Sequence, residues 1–120
     1  MRGKIVKVSM LSYANVKRFQ IEVEGGLLEA EIPVKLLQDV KVNPDAGCEV
    51  EVEITKKEKN TGDIGSWDII MIGETYFKQE AQGKIYASAG GLQLVIPVRL
   101  LGDNLNIGDE IIFKIKFIPN

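Results

Sequence analysis

The chain has 120 residues, 45% of them hydrophobic and 27% charged, with a net charge of −2, no His and a single Cys. That is one domain's length and an ordinary globular composition, so residues 1–120 are expected to share one core. It excludes an intrachain disulfide, removes the commonest general base and metal ligand, and leaves neither half basic enough for strong nonspecific nucleic-acid binding.

Residues 3–10 predict the first strand, since Ile5, Val6 and Val8 are β-branched and no helix cap precedes them. A turn is expected over residues 12–15. Phe19, Ile21 and Val23 then alternate with Gln20, Glu22 and Glu24, the pattern of a half-buried strand. Gly25-Gly26 supplies the positive φ of a tight hairpin, and residues 27–32 return as the third strand. Pro33 ends it. Residues 34–39 read as one helical turn or a compact loop, with Leu36-Leu37 placed to cap the open end of a sheet or barrel. Asn43-Pro44-Asp45-Ala46-Gly47 is turn chemistry. In the strand that follows, Cys48, Val50, Val52 and Ile54 face in, while Glu49, Glu51 and Glu53 face out.

Residues 56–66 have little to bury and predict a polar, mobile loop. Trp67 opens the second half. Residues 68–72 align by their apolar pattern with residues 4–8, and Gly73 marks a bulge or a close approach. Residues 75–77 continue extended. Residues 84–89, the Gly90-Gly91 hairpin and residues 92–96 repeat the earlier strand pair. In the final strand Ile111, Phe113, Ile115 and Phe117 face in; Glu110, Ile112, Lys114 and Lys116 face out.

The order repeats because the sequence does. Ile32-Pro33-Val34-Lys35-Leu36-Leu37-Gln38-Asp39 recurs as Ile96-Pro97-Val98-Arg99-Leu100-Leu101-Gly102-Asp103, with six of eight positions identical. Glycine pairs precede both copies, and Gly47 and Gly108 each open an alternating strand. Two copies, residues 1–57 and 67–120, argue for one duplicated domain rather than a solenoid, which needs three or more units. Each half is strand, strand, strand, cap, strand. The predicted fold is therefore all-β, an antiparallel OB-like barrel of about eight strands, since closure buries one apolar face per strand and removes exposed edges. A two-sheet sandwich is the alternative.

Residues 68–80, Asp-Ile-Ile-Met-Ile-Gly-Glu-Thr-Tyr-Phe-Lys-Gln-Glu, carry a strand ending in Gly73-x-x-Tyr76 with acidic residues after it. The next strand leads into Ser88-Ala89-Gly90-Gly91-Leu92, and Asn104-Leu105-Asn106 precedes the apolar last strand. In this order and spacing, residues 68–117 resemble the small RNA polymerase subunit often called subunit 8, shared by eukaryotic nuclear polymerases and found in some archaea. The resemblance implies an eight-stranded barrel with approximate internal two-fold symmetry. It also implies a non-catalytic peripheral subunit of the DNA-directed RNA polymerase, docked mainly on the largest subunit.

No residue pattern points to chemistry. Cys48 on an inward face with no nearby base is an inert thiol. The three outward glutamates stand ~7 Å apart along one strand, too far for neighbours to share a metal unaided. The glycine pairs lack the helix N-terminus and the Lys-Ser/Thr of a phosphate loop. No cofactor, metal, membrane or small-molecule substrate is expected. Absence of an apolar run near twenty residues, of a targeting segment and of paired cysteines predicts a cytoplasmic protein.

What remains is binding. The candidate interface residues are Tyr76, Gly90, Gly91, Leu92, Ile112 and Lys114: an interface aromatic, a glycine tip that admits a partner's backbone, and an outward apolar and basic pair on the last strand. Trp67, Tyr76, Phe77 and Tyr86 could alternatively stack single-stranded bases, with Lys78 and Lys84 nearby, so a stand-alone OB-like nucleic-acid module is the second reading, and weak nucleic-acid contact by a polymerase subunit is compatible with the first. A small-ligand carrier ranks behind both, since large inward side chains fill a barrel of this size.

Overall fold

The computed structural model describes residues 1–12, 14–57, 66–101 and 105–118. Eight strands form: β1 (Arg2–Met10), β2 (Val16–Val23), β3 (Gly26–Pro33), β4 (Glu49–Lys56), β5 (Ile69–Gln79), β6 (Lys84–Ala89), β7 (Leu92–Pro97) and β8 (Glu110–Ile118). A short helix, α1 (Val34–Asp39), follows β3, and single 3-10 turns occupy Glu80–Gln82 and Val98–Leu100. The sheet closes on itself in the order β1-β2-β3-β7-β6-β5-β8-β4, every pair antiparallel. It is the expected all-β barrel, consistent with an OB-like architecture, and not the sandwich. Most of the polar stretch between the halves, residues 58–65, lies outside the described residues, as do Tyr13 and residues 102–104.

Alternation builds the core. Ile5, Phe19, Ile21, Val50, Val52, Ile111, Phe113 and Ile115 are each at most 1% exposed, and fully buried large side chains fill the interior. Leu37 of α1 and Leu105 join the same cluster. Leu36, its neighbour, is 39% exposed, so one leucine of the expected pair caps the barrel and the other does not.

The pairing pattern is two-fold symmetric. Half one runs β4-β1-β2-β3 and half two runs β8-β5-β6-β7, and the halves meet at β3·β7 and β4·β8. At the first seam Ala30 pairs with Leu94, its own counterpart in the repeat; at the second Glu53 pairs with Lys114, again its counterpart. A two-fold axis through both seams relates the halves. It also explains the opposite outward charges of β4 and β8. The register sets Glu51 against Lys116 and Glu53 against Lys114, complementary cross-strand pairs within one sheet.

The axis corrects one alignment. Gly3 pairs with Val50 and Gly73 with Ile111, so the counterpart of residue 3 is residue 73, and residues 68–72 do not correspond to residues 4–8. Backbone bonds agree: Ile5 N–H donates to Cys48 O and Gly47 N–H to Ile5 O, just as Thr75 N–H donates to Asp109 O and Gly108 N–H to Thr75 O. Both halves carry a bulge at the same place, around Val6 in β1 and around Tyr76 in β5. The bulge thus lies three residues on from Gly73, and the nearest atoms to a Cβ at Gly73 would stand at 3.4 Å, so residue 73 marks neither a bulge nor a tight approach.

Candidate docking surface

A β-bulge adds one residue to a strand and re-aims its side chains. In β5 the extra residue is Tyr76, between Thr75 opposite Ala87 and Phe77 opposite Tyr86. Thr75 stays inside at 2% exposure, its hydroxyl donating toward Asn106 O at 2.8 Å and Asp109 O at 2.9 Å. Tyr76 and Phe77 both emerge on the outer face, 48% and 49% exposed. Each packs on Tyr86: the Tyr76 ring lies 6.3 Å away at 62°, and the Phe77 ring 5.5 Å away at 52°. Gln93 Nε2 donates to the Tyr76 hydroxyl at 2.8 Å, tying the ring to β7.

Tyr76 also walls a cleft of about 450 Å³ with Arg18, Glu31, Ser88, Gly91 and Gln93. Its floor is the β3·β7 seam, where paired residues number only two on each strand. Beyond that pairing Glu31, 7% exposed, inserts its carboxylate between the strands. It accepts Gln93 N–H at 2.8 Å, Arg18 Nη2–H at 2.6 Å and Arg18 Nε–H at 3.2 Å. A side chain thus does there what a backbone carbonyl does elsewhere in the ladder.

The two glycine hairpins differ. Gly90 and Gly91 have φ of 58° and 88°, the left-handed pair a two-residue hairpin turn requires, and a side chain at either would meet nothing. The tip stands free beside Tyr76's cleft. Gly25 and Gly26 instead press against Arg99 and Pro97, at 3.3 Å and 2.9 Å from a would-be Cβ. Leu92 is half-buried and packs on the core.

Tyr76, Gly90, Gly91 and Leu92 therefore fall in one region. The other two candidates do not join them, and their expected exposure is corrected. Ile112 is 3% and Lys114 4% exposed. Both point outward, but residues 111–115 of β8 are flanked on both sides, by β4 and by β5. Ile112 lies between Thr55 and Ile72, and Lys114 between Glu53 and Ile70. Alternation assigns a side, not an exposure.

Elsewhere, Cys48 immediately precedes β4 rather than lying within it, and it packs against the core while staying half-buried. Its thiol contacts Glu49 O and Ile118 O, and burial raises its pKa above the ordinary value. Glu49 and Glu51 pair with Arg2 and the terminal amine of Met1, an ion-paired outer face. Among the described residues no group of three His, Cys, Asp or Glu side chains could hold a metal, and no helix is long and apolar enough to cross a membrane. Sequence reasoning missed Glu31 and its partners. Glu31 and Glu29 share the outward side of the alternation Leu28, Ala30, Ile32, so the sequence offered no signal that set Glu31 apart.

No family model matches the chain, and no curated protein matches it. Among solved structures, one that it resembles is the cytoplasmic molybdate-binding protein ModG, in a PEG-grown form with molybdate bound. The match has 18% identity, a TM-score of 0.36, and covers 96% of this chain and 87% of that one.

Proposed function

We propose that this barrel is a non-catalytic accessory subunit of a cytoplasmic DNA-directed RNA polymerase, docking on the largest subunit and stabilising the assembly. One observation carries the reading. The separated motifs of the subunit 8 resemblance, Gly73-x-x-Tyr76 and Ser88-x-Gly90-Gly91-Leu92, converge on a single exposed cleft in which Tyr76, Ser88 and Gly91 are neighbours. A filled interior leaves the outer surface as the means of action. The barrel contributes a rigid template: an aromatic anchor held by Gln93, and a glycine tip that a partner's backbone can approach closely.

Gel filtration of the purified chain mixed with the largest polymerase subunit tests this. Co-elution as a stable complex, lost in Tyr76→Ala, is the expected result; separate elution at micromolar concentrations rejects it.

The Tyr76–Phe77–Tyr86 cluster favours a second reading, a stand-alone module that stacks single-stranded bases. It requires salt-sensitive binding of an oligonucleotide by the isolated chain, weakened by Tyr76→Ala or Lys84→Ala.

A further inference from the structure

The two-fold axis supplies an internal control for what the fold itself demands. Positions related by it share backbone geometry, so a residue type found only in one half is not required for folding there. In half one, the outward positions Arg2, Val6, Lys7, Gln20 and Ala46 are mostly polar or small. Their counterparts, fixed by the shared pairings, are Ile72, Tyr76, Phe77, Tyr86 and Ile107. Four of these are large, apolar or aromatic, and exposed: Ile72 45%, Tyr76 48%, Phe77 49% and Ile107 57%. At these positions half one exposes a single large apolar side chain, Val6 at 43%, where half two exposes four, and such an excess is the mark of a surface meant to be covered.

Charge narrows what covers it. In half one Lys4 stands directly opposite Glu49, a complementary cross-strand pair. The counterpart pair in half two is Glu74 opposite Glu110. Like charges directly opposite one another are unfavourable. Lys57 offers Glu110 a 3.6 Å contact, while Glu74 makes no ion pair among the described residues. The two carboxylates sit within the apolar face, with Ile72 before Glu74 and Tyr76 after it on the same outward side of β5.

We infer that this face, Ile72, Glu74, Tyr76, Phe77 and Glu110, docks a protein segment that presents a basic side chain flanked by apolar ones. An arginine suits it best. Its planar guanidinium can bridge two carboxylates and stack on an adjacent ring. A nucleic-acid strand is disfavoured, because its phosphates would approach two glutamates. The assignment of that segment to the largest polymerase subunit rests on the reading given above; its chemistry does not.

The test uses the twin residues as substitutions, since their backbone positions already accept them. Ile72→Arg with Phe77→Lys removes the apolar face, Glu74→Lys restores the first-half charge pattern, and Lys4→Glu is the control in the other half. Each purified chain is titrated with the largest polymerase subunit. In parallel it meets three labelled probes: a peptide carrying Arg between Leu residues, the same peptide with Glu for Arg, and a single-stranded oligonucleotide.

The expected result is that wild type prefers the Arg peptide over the Glu peptide at least tenfold. Glu74→Lys raises the melting temperature of the free chain yet weakens both the subunit and the Arg peptide tenfold or more. Ile72→Arg with Phe77→Lys abolishes both, and Lys4→Glu leaves both unchanged. The inference is overturned if Glu74→Lys binds as wild type does, if the peptides bind equally or not at all, or if the oligonucleotide is what the face-removing variant loses. If the Arg peptide behaves as expected but the largest subunit does not bind, the polymerase reading falls and the surface assignment stands.

Discussion

Replacing Glu31 with Ala probes the seam of the barrel with the fewest paired residues. The carboxylate is 7% exposed and accepts three N–H bonds, one from the Gln93 amide and two from Arg18. Loss of its only described acceptor leaves the Gln93 amide unsatisfied at a seam, at a cost of about 1–3 kcal/mol. The Arg18 pair adds less, because that side chain is 36% exposed and water screens it, about 1 kcal/mol at most. The sum is roughly 1–4 kcal/mol, and at roughly 3–5 °C per kcal/mol for a chain of this size the melting temperature should fall by about 5–15 °C. Urea unfolding gives the stability change. Amide exchange says where it arises: Gln93, Leu94 and Val95 should lose protection before the β1·β2 amides do. A loss under about 1 kcal/mol, or uniform loss of protection, would refute the claim that a side chain completes this ladder.

Three further outcomes follow from local geometry. A Cβ at Gly3 would lie 2.8 Å from Val23 Cγ1 and 3.0 Å from Glu22 O, whereas at its counterpart Gly73 the nearest atoms are at 3.4 Å. Gly3→Ala should therefore destabilise by about 1–3 kcal/mol and Gly73→Ala by far less, and equal effects in thermal melts would contradict the packing described. The Asp109 carboxylate accepts Asn106 N–H at 2.8 Å, which, together with Lys56, holds its pKa below the ordinary 3.8. A depressed carboxylate stabilises the fold above that value and loses its contribution as pH falls through the folded pKa. Asp109→Asn should lower stability at neutral pH and flatten the acid limb of the stability curve, and an unchanged acid limb would refute the assignment. Burial raises the Cys48 pKa, so iodoacetamide at pH 8 should modify the native chain more slowly than the urea-unfolded chain; equal rates would show an ordinary exposed thiol.

The barrel was legible because period-2 alternation and the Ile32-to-Asp39 repeat are written in the sequence itself. The misalignment of the first strands has a physical cause. Residue 73, not 67, is the counterpart of residue 3, so the error was six residues, an even number. An even slip leaves every inward side chain inward, and alternation cannot detect it. That slip hid the docking face, since only the correct register sets Lys4 beside Glu74 and Lys7 beside Phe77 as twins. Ile112 and Lys114 failed for a different reason: their direction follows from alternation, but their burial depends on what stands on either side of β8. Glu31 was invisible as a site because its role exists only where β3 and β7 part company, 62 residues from its Gln93 partner.

The measurement that bears most directly on the function is stoichiometry in the source cell. The chain is tagged, recovered from lysate in high salt, and the proteins bound to it are identified and counted. The account predicts the large polymerase subunits at near-equal amounts, and their loss when Ile72→Arg and Phe77→Lys are introduced together. A tagged chain recovered as a stable monomer, with no polymerase subunit bound, would contradict it.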